Sequence, residues 1–274
     1  MNLRNKTAYI PLLEGSPISK KVTKKILITG SSGFIGSYLR RALPESDGFD
    51  QTPSQTTNIV GDLLDLPVSV DQYDVIYHLA SVVGTTVSKQ NPIATYKVNV
   101  CGTLNLLRSF KGLFIFLSTV GVYDPLKNPY FLSKYVCEEI VRNAPCDHII
   151  FRLANPYGRG SKSVIQKWLE TDHIQIYGDG NQKRDFVYIE DVVEILANPQ
   201  KLKINKTYNV GSGVPITLNE LSKLIVKLTG EKTVEYLPAR EFEIYEPVIK
   251  PDIICKTPLE EGLKKCIEER KKAT

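Results

Sequence analysis

Lys25-Ile26-Leu27-Ile28-Thr29-Gly30-Ser31-Ser32-Gly33-Phe34-Ile35-Gly36 reads as strand, glycine turn and helix. Ile26, Leu27 and Ile28 form a short aliphatic run of the kind that is buried on both faces of a sheet. Thr29 and Gly30 end it, and Tyr38, Leu39 and Ala42 then fall at helical spacing. Gly30 permits a sharp turn, Gly33 lets backbone approach a ligand, and Gly36 lets the helix pack closely on the strand. The helix start offers free N–H groups and partial positive charge to a pyrophosphate. The strand before and the helix after supply the context that such a glycine motif needs. With the glycines three apart and no Lys-Ser/Thr pair behind them, the stretch is neither the commonest dinucleotide fingerprint nor a P-loop.

At 274 residues the chain can bury one large α/β domain with a smaller appended lobe. Cys101, Cys137, Cys146, Cys255 and Cys266 are scattered without metal-ligand spacing, which points to reduced thiols, no metal and a cytoplasmic protein. No apolar run is long enough to span a bilayer and none near the start reads as a signal peptide, so no membrane partner is expected. The formal charge of +5 comes largely from lysines and arginines near both ends, without interleaved aromatic residues. Solvated ends account for it, and no nucleic-acid partner is expected.

Strands alternating with helices predict a parallel, doubly wound sheet. Gly48-Phe49-Asp50, Asn58-Ile59-Val60, Val75 to Ser81, Leu113 to Leu117 with Ser118-Thr119, and Ile149-Ile150-Phe151 read as its further strands. Pro92 to Phe110 and Tyr130 to Ala144 read as helices, and Gly102 inside the first implies close packing there. An acidic residue about twenty positions beyond the glycine turn should accept from the adenosine ribose hydroxyls. Asp50 fits, with Asp47 as a rival. No Arg or Lys follows to hold a 2′-phosphate, which favours NAD over NADP. Strand ends face the ligand crevice, so Asp62, Ala80 and Ser81 are candidates there, whereas His78 reads as structural. Beyond Leu153 the alternation breaks: Asn155-Pro156-Tyr157-Gly158 reads as a turn, followed by short helices and strands.

Tyr130-Phe131-Leu132-Ser133-Lys134 puts Tyr130 and Lys134 at i and i+4, on one helix face. A phenol is a poor base at neutral pH, and an adjacent ammonium stabilises its phenolate. Thr119, at the end of the neighbouring strand, can hydrogen-bond the same substrate oxygen.

These motifs occur in a fixed order: Gly30/Gly33/Gly36, Gly61-Asp62, His78-Leu79-Ala80, Asn99-Val100, Ser118-Thr119 with Val122-Tyr123, Pro129-Tyr130 with Ser133-Lys134, Arg152 with Asn155, Tyr157 and Gly158, and Gly178-Asp179-Gly180 with Arg184-Asp185-Phe186. Together they resemble the extended short-chain dehydrogenases, the NAD-dependent nucleotide-sugar epimerase/dehydratase family that includes UDP-glucose 4-epimerases, from about Lys25 to Gly213. The resemblance implies a Rossmann-type sheet with a smaller C-terminal substrate-binding lobe. It places an N-terminal leader at 1–24 and the NAD-binding domain at 25–155, with a returning segment near 186–210. The lobe falls to 156–185 and 211–274.

It further implies Tyr130 as catalytic base, Lys134 as ribose anchor and Thr119 as hydroxyl partner. Gly30, Ser32, Gly33, Phe34, Ile35, Gly36, Asp50, Asp62, Leu63, Leu79, Ala80, Ser81, Asn99 and Ser118 join Tyr130 and Lys134 in holding NAD. Asn155, Arg184 and Arg240 would bind a nucleotide-diphosphate sugar, and the two long helices would pair with a second copy in a homodimer.

Where family dehydratases carry Asp and Glu after the catalytic Thr, this chain has Val120 and Gly121, which transfer no proton. The Glu of the decarboxylases is missing as well. A C4 epimerase is the best fit. A 4-keto-sugar reductase and a non-catalytic dinucleotide-binding protein are the alternatives. The segments Tyr123 to Tyr130 and Gly158 to Ile174 are shorter than in the family, which implies either a more open sugar site or an unusual substrate.

Overall fold

In β1 (Ile26–Thr29), Leu27 and Ile28 are both buried yet belong to different cores, because successive strand residues point to opposite faces. A computed structural model describes residues 24–230, 232–239 and 249–272. After β1 come α1 (Phe34–Ala42), β2 (Asp47–Asp50), β3 (Ile59–Val60), β4 (Val75–His78) and α2 (Thr85–Gln90). Next, α3 (Pro92–Tyr96) runs through one π-helical turn, Lys97–Cys101, into α4 (Gly102–Leu107). Then follow β5 (Leu113–Thr119), α5 (Pro129–Arg142), β6 (Asp147–Leu153), β7 (Asn155–Tyr157), α6 (Val164–Glu170) and β8 (His173–Tyr177). The remainder is β9 (Lys183–Arg184), β10 (Phe186–Tyr188), α7 (Ile189–Ala197), β11 (Lys206–Gly211), β12 (Ile216–Thr217), α8 (Leu218–Thr229), β13 (Thr233–Leu237), β14 (Ile253–Ile254) and α9 (Leu259–Lys271).

Eight strands form one parallel sheet in the order β14-β11-β6-β5-β4-β1-β2-β3. Ile28, Tyr77, Ile115 and Phe151 meet Leu39 of α1 and Val192 and Leu196 of α7 on one face. Leu27, Ile76, Phe114, Phe116 and Ile150 meet Leu106 of α4 and Val141 of α5 on the other. This is the doubly wound Rossmann-type sheet expected from the alternation. The chain order reverses between β1 and β4, and a ligand crevice opens at such a switch point. A third core, around Tyr157, Trp168, Ile176, Leu221 and Leu263, builds a smaller lobe from α6, β8, α8 and α9.

Three readings are corrected. Asn155–Tyr157 is a strand, not a turn: it pairs in parallel with β10, away from the main sheet. The helix expected over Pro92 to Phe110 ends at Leu107. The strand expected over Val75 to Ser81 ends at His78, where its pairing with β1 and β5 stops. Gly102 does have a packing reason, since a Cβ there would sit 3.0 Å from the Leu63 side chain. Among the described residues, no helix is long and apolar enough to cross a membrane.

Candidate active site

The glycine turn builds one wall of a cavity of about 1320 Å³ that runs between the sheet and the smaller lobe. Gly30 has φ +76°, and a Cβ on it would lie 2.6 Å from the Ala80 nitrogen. A Cβ on Gly36 would overlap the Gly30 carbonyl oxygen. No other residue fits at either position. Gly30, Ser32, Gly33, Phe34, Ile35 and Gly36 all line the cavity.

Asp50 ends β2 at the same cavity. Its carboxylate accepts from the Ser32 N–H (3.1 Å) and from the Thr52 N–H (3.0 Å). The rival, Asp47, is occupied elsewhere by the Tyr73 hydroxyl and the Asn58 amide, both at 2.8 Å. Gln51 and Thr52, which follow Asp50 along the cavity, carry no charge to meet a 2′-phosphate. A glycine cradle that excludes side chains, beside a ribose-seeking carboxylate, fits NAD. The volume also exceeds the roughly 300–1,000 Å³ of an ordinary small-molecule pocket, leaving room for a second ligand.

Leu63, Leu79, Ala80, Ser81 and Ser118 line the cavity too. Asp62 and Asn99 do not. Asp62 accepts from the Leu64 N–H at 2.9 Å, in the turn that presents Leu63. Asn99, in the π-helical turn, is buried; its carboxamide accepts from the Val82 N–H (2.7 Å) and donates to the Val82 carbonyl (3.2 Å) and to Ser133 Oγ (2.9 Å). It therefore fixes Val82, which does line the cavity.

Tyr130, Lys134 and Thr119 line the same cavity. Pro129 opens α5, and the buried Asn128 caps it by accepting from the Tyr130 N–H at 2.9 Å. Asn128 also accepts from Ser88 Oγ (2.8 Å) and donates to the Thr85 carbonyl (3.1 Å), tying α2 to the start of α5. Lys134 is only 3% exposed; its ammonium donates to the Leu117 carbonyl at 2.9 Å and lies 4.7 Å from the centre of the Phe116 ring. Burial pushes its pKa down to about 8, against the attraction of Cys137 and Glu138. Thr119 Oγ1 accepts from the Gly121 N–H at 3.2 Å, which leaves its own proton to offer.

His78 is structural by contact. Thr103 Oγ1 donates to the Asn99 carbonyl and must therefore accept from His78 Nε2–H, 3.0 Å away. Nδ1 then accepts from Thr29 Oγ1 at 2.8 Å. Burial, with the nearby Lys134 charge, drives the His78 pKa down to about 3, so the ring is neutral.

On the lobe side, Asn155 and Arg184 line the cavity. Asn155 Nδ2 donates to the Asp185 carbonyl at 3.0 Å, which orients the carboxamide. Arg240 lies outside the described residues, as does the expected leader except for Lys24. Sequence reasoning missed Lys89, Lys162 and Lys167, which add positive charge to the lining, and Trp168, Gln175 and Tyr177. Val164, Lys167 and Trp168 share a face of α6 at i, i+3 and i+4, a signal that the helix fronts something. What it fronts depends on how the lobe docks.

A family model described as "NAD dependent epimerase/dehydratase family" matches residues 26–211. A provisionally named UDP-glucose 4-epimerase of Methanocaldococcus jannaschii is 31% identical over 304 aligned positions, covering 88% of this chain and 97% of that protein. UDP-glucuronic acid decarboxylase 1 of Danio rerio is 28% identical over 319 positions, covering 92% of this chain and 73% of the other. The solved structure of MoeE5 in complex with UDP-glucuronic acid and NAD superposes with a TM-score of 0.82 at 25% identity, over 91% of this chain and 100% of that one.

Proposed function

Because the chain belongs to the NAD-dependent epimerase/dehydratase family, with NAD as its cofactor, we propose that it interconverts C4 epimers of a nucleotide-diphosphate sugar. Proteins of this kind transform sugar nucleotides in several ways, epimerisation and decarboxylation among them. When bound, NAD supplies the hydride acceptor for oxidation of a carbinol and the donor for its reduction.

One observation carries the choice of epimerisation. The cavity joins a phenol, a buried ammonium and a hydroxyl, while the two positions after Thr119 offer no acid or base. Val120 is 3% exposed and belongs to the apolar core, and Gly121 lies against the Phe131 ring. Elimination of water needs proton transfer at a second carbon, and nothing at these positions performs it.

In this reading Tyr130 takes the proton of the C4 hydroxyl as that carbon is oxidised, and returns it after the sugar has presented its other face. The Lys134 ammonium, anchored at the Leu117 carbonyl, favours the phenolate and holds the nicotinamide ribose. Thr119 donates to the same C4 oxygen. Gly30, Gly33 and Asp50 hold the dinucleotide, and Asn155, Arg184 and Arg240 take the diphosphate side, where a guanidinium fork suits paired phosphate oxygens. Exposed apolar residues on α3, α4 and α5 (Ile93 at 79%, Leu104 at 48%, Tyr135 at 38%) support a homodimer, which sedimentation would reveal. The free thiols support a cytoplasmic location.

Proton NMR of the purified protein with NAD⁺ and, separately, UDP-glucose and UDP-N-acetylglucosamine tests the proposal, with the 4-epimer of one of them as the expected product. Tyr130→Phe should slow turnover by about 10²–10⁴-fold, the usual range for a lost acid–base group. Its melting temperature should stay within about 2 °C of wild type, because surface or cavity-edge changes of this size cost little. Wild-type turnover in Tyr130→Phe would contradict the assignment.

A further inference from the structure

Tyr130, Lys134 and Glu138 lie at i, i+4 and i+8 along α5, one stripe of phenol, ammonium and carboxylate. Glu138 has no exposed surface. Its Oε1 accepts from Ser118 Oγ at 2.6 Å and from Arg152 Nε at 3.0 Å; its Oε2 accepts from Arg152 Nη2 at 2.7 Å and from Arg142 Nη2. Two successive residues of β5 thus meet two residues one turn apart on α5. The Leu117 carbonyl takes the Lys134 ammonium, and the Ser118 hydroxyl reaches Glu138. Ser118 has one proton, and that proton is committed to Glu138.

We infer that Glu138 is a positioning residue of the active site: its carboxylate balances the buried Lys134 ammonium and takes the Ser118 proton, so that Ser118 presents only an acceptor to the cavity. The inference rests on the reading of Lys134 as the partner of Tyr130. Two neighbouring hydroxyls then have opposite polarity, because Thr119 accepts from Gly121 and keeps a proton to donate. Beyond tying strand to helix, Glu138 raises the pKa of Lys134, because a charge one helical turn away in a dry interior is weakly screened.

Other titratable groups near Lys134 are its partner Tyr130 and Cys137 on the same helix and His78 from β4. Burial raises the Cys137 pKa, which favours its thiol, and keeps His78 neutral. Arg142 of α5 and Arg152 of β6 face Glu138 as cations. Among these groups, Glu138 is the carboxylate.

The test is the titration of Lys134 in the full chain, read from its ¹³Cε resonance in ¹³C-lysine-labelled protein, with Lys134→Arg used for assignment. Glu138→Gln should lower the Lys134 midpoint by roughly 1–2 pH units, the size expected for a unit charge about one turn away. Glu139→Gln, which removes an exposed carboxylate paired with Arg142, should leave the midpoint within about 0.3 unit, as expected for a solvent-screened charge. If Glu138→Gln does not fold, Arg142→Gln serves instead. It leaves the Glu138 charge less offset and should raise the midpoint by about half a unit. Because the titration needs no turnover, it separates this inference from the proposed activity. In an active enzyme, the basic limb of kcat moves down with the midpoint in Glu138→Gln while KM holds. A folded Glu138→Gln or Arg142→Gln variant with an unmoved Lys134 midpoint overturns the inference.

Discussion

The Lys134 ammonium donates to the Leu117 carbonyl at 2.9 Å, joining α5 to the C-terminal end of β5. Leu117 immediately precedes Ser118 and Thr119, both at the cavity. One contact therefore sets the height of the ammonium relative to the hydroxyl at the strand end.

Activity and stability should part company above pH 8 because of this buried ammonium. The Lys134 pKa is lowered from 10.5 to about 8, so between those values the unfolded chain binds more protons than the folded one. Stability then rises with pH across that window. The full effect is roughly 3 kcal/mol for a shift of this size. Turnover should fall through the same window as the ammonium is lost. Chemical denaturation at pH 7.5 and 10, with initial rates at the same values, checks both directions. Lys134→Met should remove the stability rise along with the activity.

Acid should act through His78. Its pKa is lowered from 6.5 to about 3 by burial, and then by Lys134, so its contribution is intact above pH 6.5. It is lost progressively as the pH falls toward 3, since the unfolded chain protonates first. The loss amounts to roughly 4–5 kcal/mol when complete. His78→Gln, which can still bond Thr29 and Thr103, should flatten the pH dependence of unfolding free energy between 6.5 and 4 by close to one proton. An unchanged slope would show that the ring protonates in the folded state.

Gly36→Ala should disable the nucleotide side without touching α5. A Cβ there overlaps the Gly30 carbonyl oxygen, which is backbone and has nowhere to move while Gly30 packs on Ala80. A destabilisation of about 1–3 kcal/mol is the usual cost of overpacking. Calorimetry of NAD⁺ binding should show an affinity loss of at least about 100-fold, because the turn that approaches the pyrophosphate is displaced. Wild-type affinity in this variant would remove the glycine turn from the site.

The parallel sheet was legible because its strands are buried on both faces, and runs such as Ile26-Leu27-Ile28 and Phe114-Ile115-Phe116-Leu117 have no other stable home. Asp50 was separable from Asp47 only by contact: Tyr73 and Asn58, which occupy Asp47, are 26 and 11 positions away in the chain. The strand at Asn155–Tyr157 was hidden by Pro156, which breaks most strands and is tolerated in a two-stranded pair. Helix α2, Thr-Thr-Val-Ser-Lys-Gln, has no apolar period at all. It is held by Asn128 instead, through Thr85 and Ser88, a tertiary contact that no local pattern announces. The lobe-side lining failed for the same reason. Lys162, Lys167 and Tyr177 reach the cavity through the docking of α6 and β8, not through any motif.

In the proposed reaction, Tyr130, Lys134 and Thr119 support oxidation and reduction of the same sugar carbon. The most direct measurement follows deuterium placed at C4 of UDP-glucose and of UDP-N-acetylglucosamine, incubated separately with the NAD-loaded protein. One of them should be converted to its 4-epimer with the label kept at C4, and Tyr130→Phe should slow this conversion by about 10²–10⁴-fold. Loss of the label from the product, or no epimer from either sugar nucleotide, would contradict it.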